Sequence, residues 1–285
     1  KQLQKEHDAL FVGVGAHKDQ ALGVPGDDLN GVVSGIEFLR DISLGKKVDL
    51  AGKTVVIIGG GNVAIDVART SIRLGAKAHI VYRREEKDMP AFASEIHEAR
   101  EEGTQFTFLA APLKVVGNKK NKVKQIVLQS MKLGPYDRSG RRRPVAIEGA
   151  EITLDADLIV PAIGQEPGYD KIDEELKLNK SRSNTLVVDK RSMVTNIEGV
   201  FAGGDCVSGP ATVVEAIGAG KKAASAIDKY LGGDGVLYQA EEPQRKLVGA
   251  VAEAGRLVKP NCIPLDAKRL KSFDEVEFAY TEEQA

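Results

Sequence analysis

A chain of 285 residues with 42% apolar and 28% charged side chains has material for about two domain cores and is too apolar to remain disordered. Its 40 basic and 41 acidic residues nearly cancel, which gives no electrostatic case for a nucleic acid or an anionic membrane as partner. Two distant cysteines, Cys206 and Cys262, exclude a disulfide framework or a Cys-rich metal or iron–sulfur centre, and the absence of a signal-like start or a membrane-length apolar run predicts a cytoplasmic protein.

The first apolar run lies in DALFVGVGAHKDQALGVPG, which begins at Asp8. Its form, an apolar run, then Val-Gly or Ile-Gly, then a polar loop ending in Pro, returns in DADLIVPAIGQEPG from Asp155. Each run suits a parallel strand covered on both faces, so the recurrence predicts two similar sheets unless two buried strands merely coincide. An amphipathic helix is read at 31–42, a strand at 53–58, a helix at 62–74 stopped by Gly75, and a strand at 78–82. A helix around 91–102 ends at Gly103. The period then changes. Segments 106–109, 114–116 and 123–131 read as strands, the last two joined by GNKKNK, and GPYDRSGRRRP reads as a loop before a returning strand at 157–163. Residues 46–165 are thus expected to form one complete nucleotide-binding domain with an antiparallel excursion. Residues 1–45 and 166–240, including a strand at 185–188, fall to a second unit that receives it as an insertion. The tail 241–285 is polar, carries Pro260 and Pro264, and is read as extended surface structure.

The chemistry concentrates in KTVVIIGGGNVAIDVARTSIRLGAKAHIVYRR. A GxGxxG-like spacing alone is weak evidence, but Gly59-x-Gly61-x-x-Ala64 follows a strand and opens a helix, as a dinucleotide site requires. Gly59 permits the tight turn, Gly61 lets a pyrophosphate approach the backbone, and Ala64 lets the helix pack closely on the sheet. The helix start then offers N–H groups and a partial positive charge to phosphate. An acidic residue about twenty positions on would mark NAD by binding the ribose 2′-hydroxyl. Here Arg83 and Arg84 occupy the end of the second strand, followed by Glu85 and Glu86. Two guanidinium groups suit a 2′-phosphate, so NADP is expected, the alternative being a solvated charged turn.

Asp205 precedes a helix expected to start near Ala211, with Val213, Ile217, Gly220, Ala224, Ile227 and Leu231 on one face. The residues alone leave Asp205 open between a ligand for sugar-like hydroxyls and a simple helix cap. His7, His17, His79 and His97 are scattered without zinc spacing, there is no CxxC pair, and no nucleophile motif occurs. The basic run at 141–143 reads as a solvated loop.

Taken together, GGGNVAIDVA, YRREEKDMPA, LIVPAIGQEP and GVFAGGDCVSGPATVVEAIGAGKKAA resemble the flavoprotein small (beta) subunit family of NADPH-dependent glutamate synthase. The same module occurs in the N-terminal half of dihydropyrimidine dehydrogenase and in ferredoxin–NADP electron-transfer subunits, and the resemblance runs from Asp8 to the tail. It implies an α/β protein of two Rossmann-like domains, with the NADP-binding domain inserted into the FAD-binding one. Carried onto this chain, it implies an NADP pyrophosphate site at the turn Gly59, Gly60, Gly61, Asn62 and Val63, with 2′-phosphate binders Arg83 and Arg84. It also implies a backbone contact at Ala162, Ile163 and Gly164, and FAD contacts at Gly204, Asp205, Ala211, Thr212 and Val213. Such enzymes pass a hydride from NADPH to FAD and relay electrons to iron–sulfur clusters on the same chain or on a large subunit, so neither a catalytic side chain nor a metal ligand is nominated here. Family members carry a Gly-rich FAD turn and a Cys-rich region upstream of the segment matched. This chain is therefore expected to be a fragment holding FAD weakly or not at all, or, alternatively, a nucleotide-binding module with no independent activity. Its second unit, short of neighbouring strands, is expected to pack on another copy as a homodimer or to stay mobile.

Overall fold

The computed structural model describes residues 2–137, 140–169, 172, 176–237, 269–276, 278, 279 and 282. It divides into two units, 1–18 with 164–255 and 19–163 with 256–285. In chain order the elements are helix α1 (Gln2–Glu6), strands β1 (Leu10–Val12) and β2 (Lys18–Asp19), α2 (Gly35–Ser43), β3 (Thr54–Ile58), α3 (Asn62–Arg73), β4 (Lys77–Tyr82), α4 (Ala93–Glu101) and β5 (Gln105–Phe108). There follow β6 (Ala110–Gly117), β7 (Val123–Tyr136), β8 (Arg142–Asp155), β9 (Leu158–Pro161), β10 (Gln165–Glu166), β11 (Val200–Ala202), α5 (Asp205–Ser208) and α6 (Val213–Tyr230).

The larger unit is organised by a parallel sheet of order β5-β4-β3-β9. Successive side chains of β3 point to opposite faces. Val55 and Ile57 join Ala64, Ile65, Val67 and Ala68 of α3, Phe38 of α2 and Ile96 of α4 in one core. Val56 and Ile58 join Val115, Ile126 and Leu128 of the antiparallel sheet β6-β7-β8 in another. Both faces are covered, which is why TVVII is a continuous apolar run rather than an alternating one.

The boundaries of two elements differ from expectation in this unit. The stretch GPYDRSGRRRP is not all loop: β7 runs on to Tyr136 and β8 starts at Arg142, with Lys132 opposite Val145 and Tyr136 opposite Arg142. The first part of β8, residues 142–149, is almost wholly exposed and shows no buried face, whereas Ala150, Ile152 and Leu154 alternate with exposed residues as a half-buried strand does. Residues 19–45, read from sequence with the other unit, group here by contact. Their helix starts at Gly35 rather than at 31, because Ser34 caps it by accepting from the Glu37 N–H at 3.1 Å. The Asp19 carboxylate accepts from the Ile36 N–H at 3.0 Å, and Phe38 is buried in the α3 core with Val33, Leu39 and Ile42 packed around it.

A charged cluster ties α3 to α4. Arg69 and Arg73 donate to Glu102, and Arg69 also to Glu98. Arg269, from a 3₁₀ turn at Arg269–Lys271, donates to Glu98 at 3.0 Å and to Glu102 at 3.1 and 3.2 Å. Burial alone would raise the Glu102 carboxyl, but the hydrogen bonds and charges of Arg69 and Arg73 outweigh it and hold the group at about 2.

In the smaller unit β1 pairs in parallel with β11, Leu10 opposite Val200 and Val12 opposite Ala202. Leu186, Ala202 and Cys206 form its core with Val12, Val14 and Tyr169. The strand expected at 185–188 is absent. Leu186 makes only an isolated bridge with Lys180, across a turn in which Ser181 and Thr185 bond each other and Asn184 adopts φ +60°. Of the tail expected over 241–285, the segment before Arg269 lies outside the described residues. No described helix is long and apolar enough to cross a membrane.

Candidate dinucleotide site

From the end of β3 the chain turns through Gly59, Gly60 and Gly61 into α3. Gly59 has φ +147°, and a Cβ there would stand 2.1 Å from the carbonyl oxygen of Ala162, just past β9. No side chain fits. A Cβ on Gly60 would lie 2.7 Å from the Tyr82 ring, so the turn is clamped between two strand ends. Gly61 differs, since the nearest atom to its missing Cβ is Pro90 Cγ at 3.9 Å, and the space above it is open. Gly61 is the N-cap of α3, with no side chain capping the helix. The Ala64 and Ile65 N–H groups fold back onto the Gly61 carbonyl at 3.0 and 3.3 Å. Among the described residues nothing accepts from the N–H groups of Asn62 and Val63. An open space over a glycine, bordered by two unpaired helix N–H groups, is the arrangement that accepts a phosphate oxygen.

The two arginines after β4 part company. Arg83 is exposed. Arg84 is buried, its Nε donating to the Arg142 carbonyl at 2.9 Å and its Nη2 pairing with Asp137 at 3.1 Å. The chain bends after β4 at these two residues, and Arg84 is held by the β7–β8 hairpin. The structure therefore leaves one exposed guanidinium, not two, at this strand end.

A contact that the motifs did not announce lies beside the turn. The Ala91 N–H donates to the Gly60 carbonyl at 3.2 Å, and the Phe92 N–H donates to Asn62 Oδ1 at 3.1 Å. The Tyr82 hydroxyl donates to the Asp88 carbonyl at 2.8 Å. MPA within YRREEKDMPA is thus fastened to the glycine turn.

The stretch from β9 into the smaller unit runs through Ala162, which faces Gly59, then Ile163, which is exposed, to Gly164 at φ +126°. In the smaller unit Gly204 turns the chain at φ +75°, and half-buried Asp205 opens the four-residue α5. It does not cap the long helix. That helix, α6, starts at Val213 and is capped reciprocally: Thr212 Oγ1 accepts from the Glu215 N–H, and the Glu215 carboxylate accepts from the Thr212 N–H at 2.9 Å. Ala211, Thr212 and Val213 are all exposed. The expected apolar face of the helix is not buried as one stripe, since Val213 and Ile217 are exposed and Ala223, not Ala224, is the buried residue. The Cys206 thiol donates to the Val12 and Gly203 carbonyls, and burial pushes it above its ordinary value. Among the described residues no group of His, Cys, Asp and Glu is placed to hold a metal ion.

Parallel strands joined through a glycine turn and covering helices define a Rossmann-like α/β protein. The chain belongs to the pyridine nucleotide-disulphide oxidoreductase family, whose model matches residues 1–220. It is 44% identical to the NADP(+)-dependent formate dehydrogenase subunit beta of Moorella thermoacetica, over 81% of this chain and 32% of that one. It is 37% identical to the NADPH-Fe(3+) oxidoreductase subunit beta of Geobacter sulfurreducens, over 85% of this chain and 39% of that one. The NADPH glutamate synthase small chain of Azospirillum brasilense matches at 38% identity, over 80% of this chain and 50% of that one, in keeping with the resemblance carried by the motifs. The chain thus spans a third to a half of the length of these relatives, which are named as subunits or chains of larger enzymes. Among solved structures, Mycobacterium tuberculosis FprA in complex with NADPH shares the fold with a TM-score of 0.68 at 22% identity, covering 81% of this chain and 65% of that one. Thioredoxin reductase of T. acidophilum does so at 0.60 and 22%, covering 78% and 65%.

Proposed function

We propose that this chain is the nicotinamide-handling portion of an FAD-dependent NADPH oxidoreductase, with the larger unit binding NADP(H) and the smaller unit contributing to an FAD site. The observation that carries the reading is the open space over Gly61 beside the unpaired N–H groups of Asn62 and Val63. Those groups and the turn Gly59–Gly60 would hold the pyrophosphate, while exposed Arg83 would meet the 2′-phosphate. Arg84, committed to Asp137, would support Arg83 by fixing the strand end. Residues 46–165, with 19–45 packed onto them, form the NADP domain in this reading, and 1–18 with 166–240 form part of the FAD domain. Gly204, Asp205, Ala211, Thr212 and Val213 would line the flavin, and Ala162, Ile163 and Gly164 would offer a backbone contact to a cofactor.

A bound NADPH would supply a hydride for transfer to flavin, and the residues of the glycine turn would hold the nucleotide without acid–base chemistry. Three relatives carry NADP or NADPH in their names and are named as subunits or chains, which supports a partner. The partner in this reading is an iron–sulfur domain or large subunit, the location is cytoplasmic, and a second copy of the chain is a further candidate partner. The test is a titration with NADPH and NADH, followed by nicotinamide fluorescence, then NADPH oxidation with added FAD. Selective binding of NADPH supports the reading, and indifference between the two nucleotides counts against it. Binding without oxidation would leave a nucleotide-binding module lacking independent activity.

A further inference from the structure

Residues 90–92 run alongside the glycine turn and bond to it twice. Pro90 Cγ borders the open space over Gly61, the Ala91 N–H donates to Gly60, and the Phe92 N–H donates to Asn62 Oδ1. Met89 and Ala91 are buried in the α3 core, whereas Phe92 and Asn62 are exposed. Phe92 is the N-cap of α4 and has no capping side chain of its own. The link from Phe92 to Asn62 is therefore the outer fastening of a segment whose inner end is held by packing. A backbone N–H can only be met by the oxygen of the Asn62 amide, so its oxygen faces the loop.

We propose that Asn62 is a positioning residue, whose side-chain oxygen seats the Phe92 N–H and so holds residues 90–92 as one wall of the phosphate space. It acts as an acceptor toward the loop and not as an amide donor toward the ligand. The inference rests on the NADP reading of the turn. It singles out a substitution pattern that a direct ligand contact does not share. Aspartate has the same shape and keeps the acceptor, although it removes the amide donors and adds a charge. Leucine keeps most of the volume and removes the acceptor.

Two readouts on the full chain test it: amide hydrogen exchange across residues 86–95 without nucleotide, and titration with NADPH. Asn62→Leu is expected to raise exchange at Phe92 and to weaken NADPH by about fivefold, the scale of one lost hydrogen bond. Asn62→Asp should keep exchange at Phe92 within about twofold of the parent, since the acceptor survives, while its added charge beside the phosphate space weakens NADPH in its own right. Phe92→Pro offers a second route if Asn62→Leu does not fold. It deletes the donor at a position whose φ of −62° proline adopts, and should weaken NADPH similarly. Unchanged exchange in Asn62→Leu would overturn the proposal. So would an Asn62→Asp protein whose Phe92 exchange rises as far as that of Asn62→Leu, because the side-chain acceptor would then not be what holds the loop. A parent chain that binds no NADPH would refute the site reading instead, and the exchange data would still judge the fastening.

Discussion

Replacing Arg83 by glutamate separates the contributions of the two arginines that follow β4. Arg84 is 5% exposed, and its guanidinium already serves Asp137 and the Arg142 carbonyl, so a 2′-phosphate meets Arg83 first. One charge-assisted hydrogen-bonding group contributes about 1.5–3 kcal/mol, which is roughly a ten- to hundredfold preference for NADPH over NADH. Arg83→Glu exchanges that attraction for repulsion, and the preference should fall to parity or reverse. Arg84→Ala should behave differently. It removes a partner from Asp137 and a tie to the hairpin, lowering stability by about 1–2 kcal/mol while the ratio of affinities holds. Fluorescence titrations of the three proteins with both nucleotides, paired with urea denaturation, measure both quantities. A selectivity lost in Arg84→Ala and kept in Arg83→Glu would refute the division of labour drawn from the burial of these two side chains.

Gly59→Ala places a methyl group against the Ala162 carbonyl at a φ of +147°, and urea denaturation should show a loss of about 2–4 kcal/mol, with NADPH affinity falling as the turn shifts. Glu102→Gln takes the charge from beneath three arginines and should cost about 3–5 kcal/mol near neutral pH. Because the folded carboxyl is held at about 2 against an ordinary 4.5, the unfolded chain binds the extra proton between these values, so Glu102 stabilises fully above 4.5 and loses this as pH falls toward 2. The stability gap between parent and Glu102→Gln should therefore narrow by about 3 kcal/mol on acidification through that window, and a constant gap would contradict the assignment. Residues 19–163 expressed alone should melt at a higher temperature than residues 46–165, since only the longer piece carries Phe38 and the Ser34-capped helix into the α3 core.

The parallel sheet was legible because its strands are largely buried on both faces: TVVII is an unbroken apolar run, AHIVY is one interrupted only by His79, and Gly75 and Gly103 mark where the helices stop. What escaped were elements without an apolar face to report. The first part of β8, RRPVAIEG, is almost wholly exposed and carries no buried face, although AEITLD after it does alternate. The 185–188 segment looked like a strand because it is apolar, yet Leu186 is buried beneath a turn and not within a ladder. At the candidate site the glycine turn could be read by spacing, because each glycine answers a steric demand that spacing encodes. The fate of Arg84 could not, since Asp137 lies far along the chain and only the folded hairpin brings it near. Asn62 was noted for its place in the motif, whereas its link to Phe92, thirty positions on, is a tertiary fact.

The arginine–glutamate cluster has an asymmetry with practical weight. With Arg269 removed, Arg69 and Arg73 still face Glu98 and Glu102, two cations against two anions, so neither carboxylate is stranded. With Glu102 removed, Arg69 and Arg269 are left to share Glu98, and Arg73 loses the carboxylate it pairs with. The C-terminal segment is thus the one participant that can detach without leaving a buried acid uncompensated, which makes it a clasp and not a keystone. A protease cut or a purification tag placed just before Arg269 should be tolerated by the nucleotide unit, whereas mutagenesis of α4 near Glu102 should not.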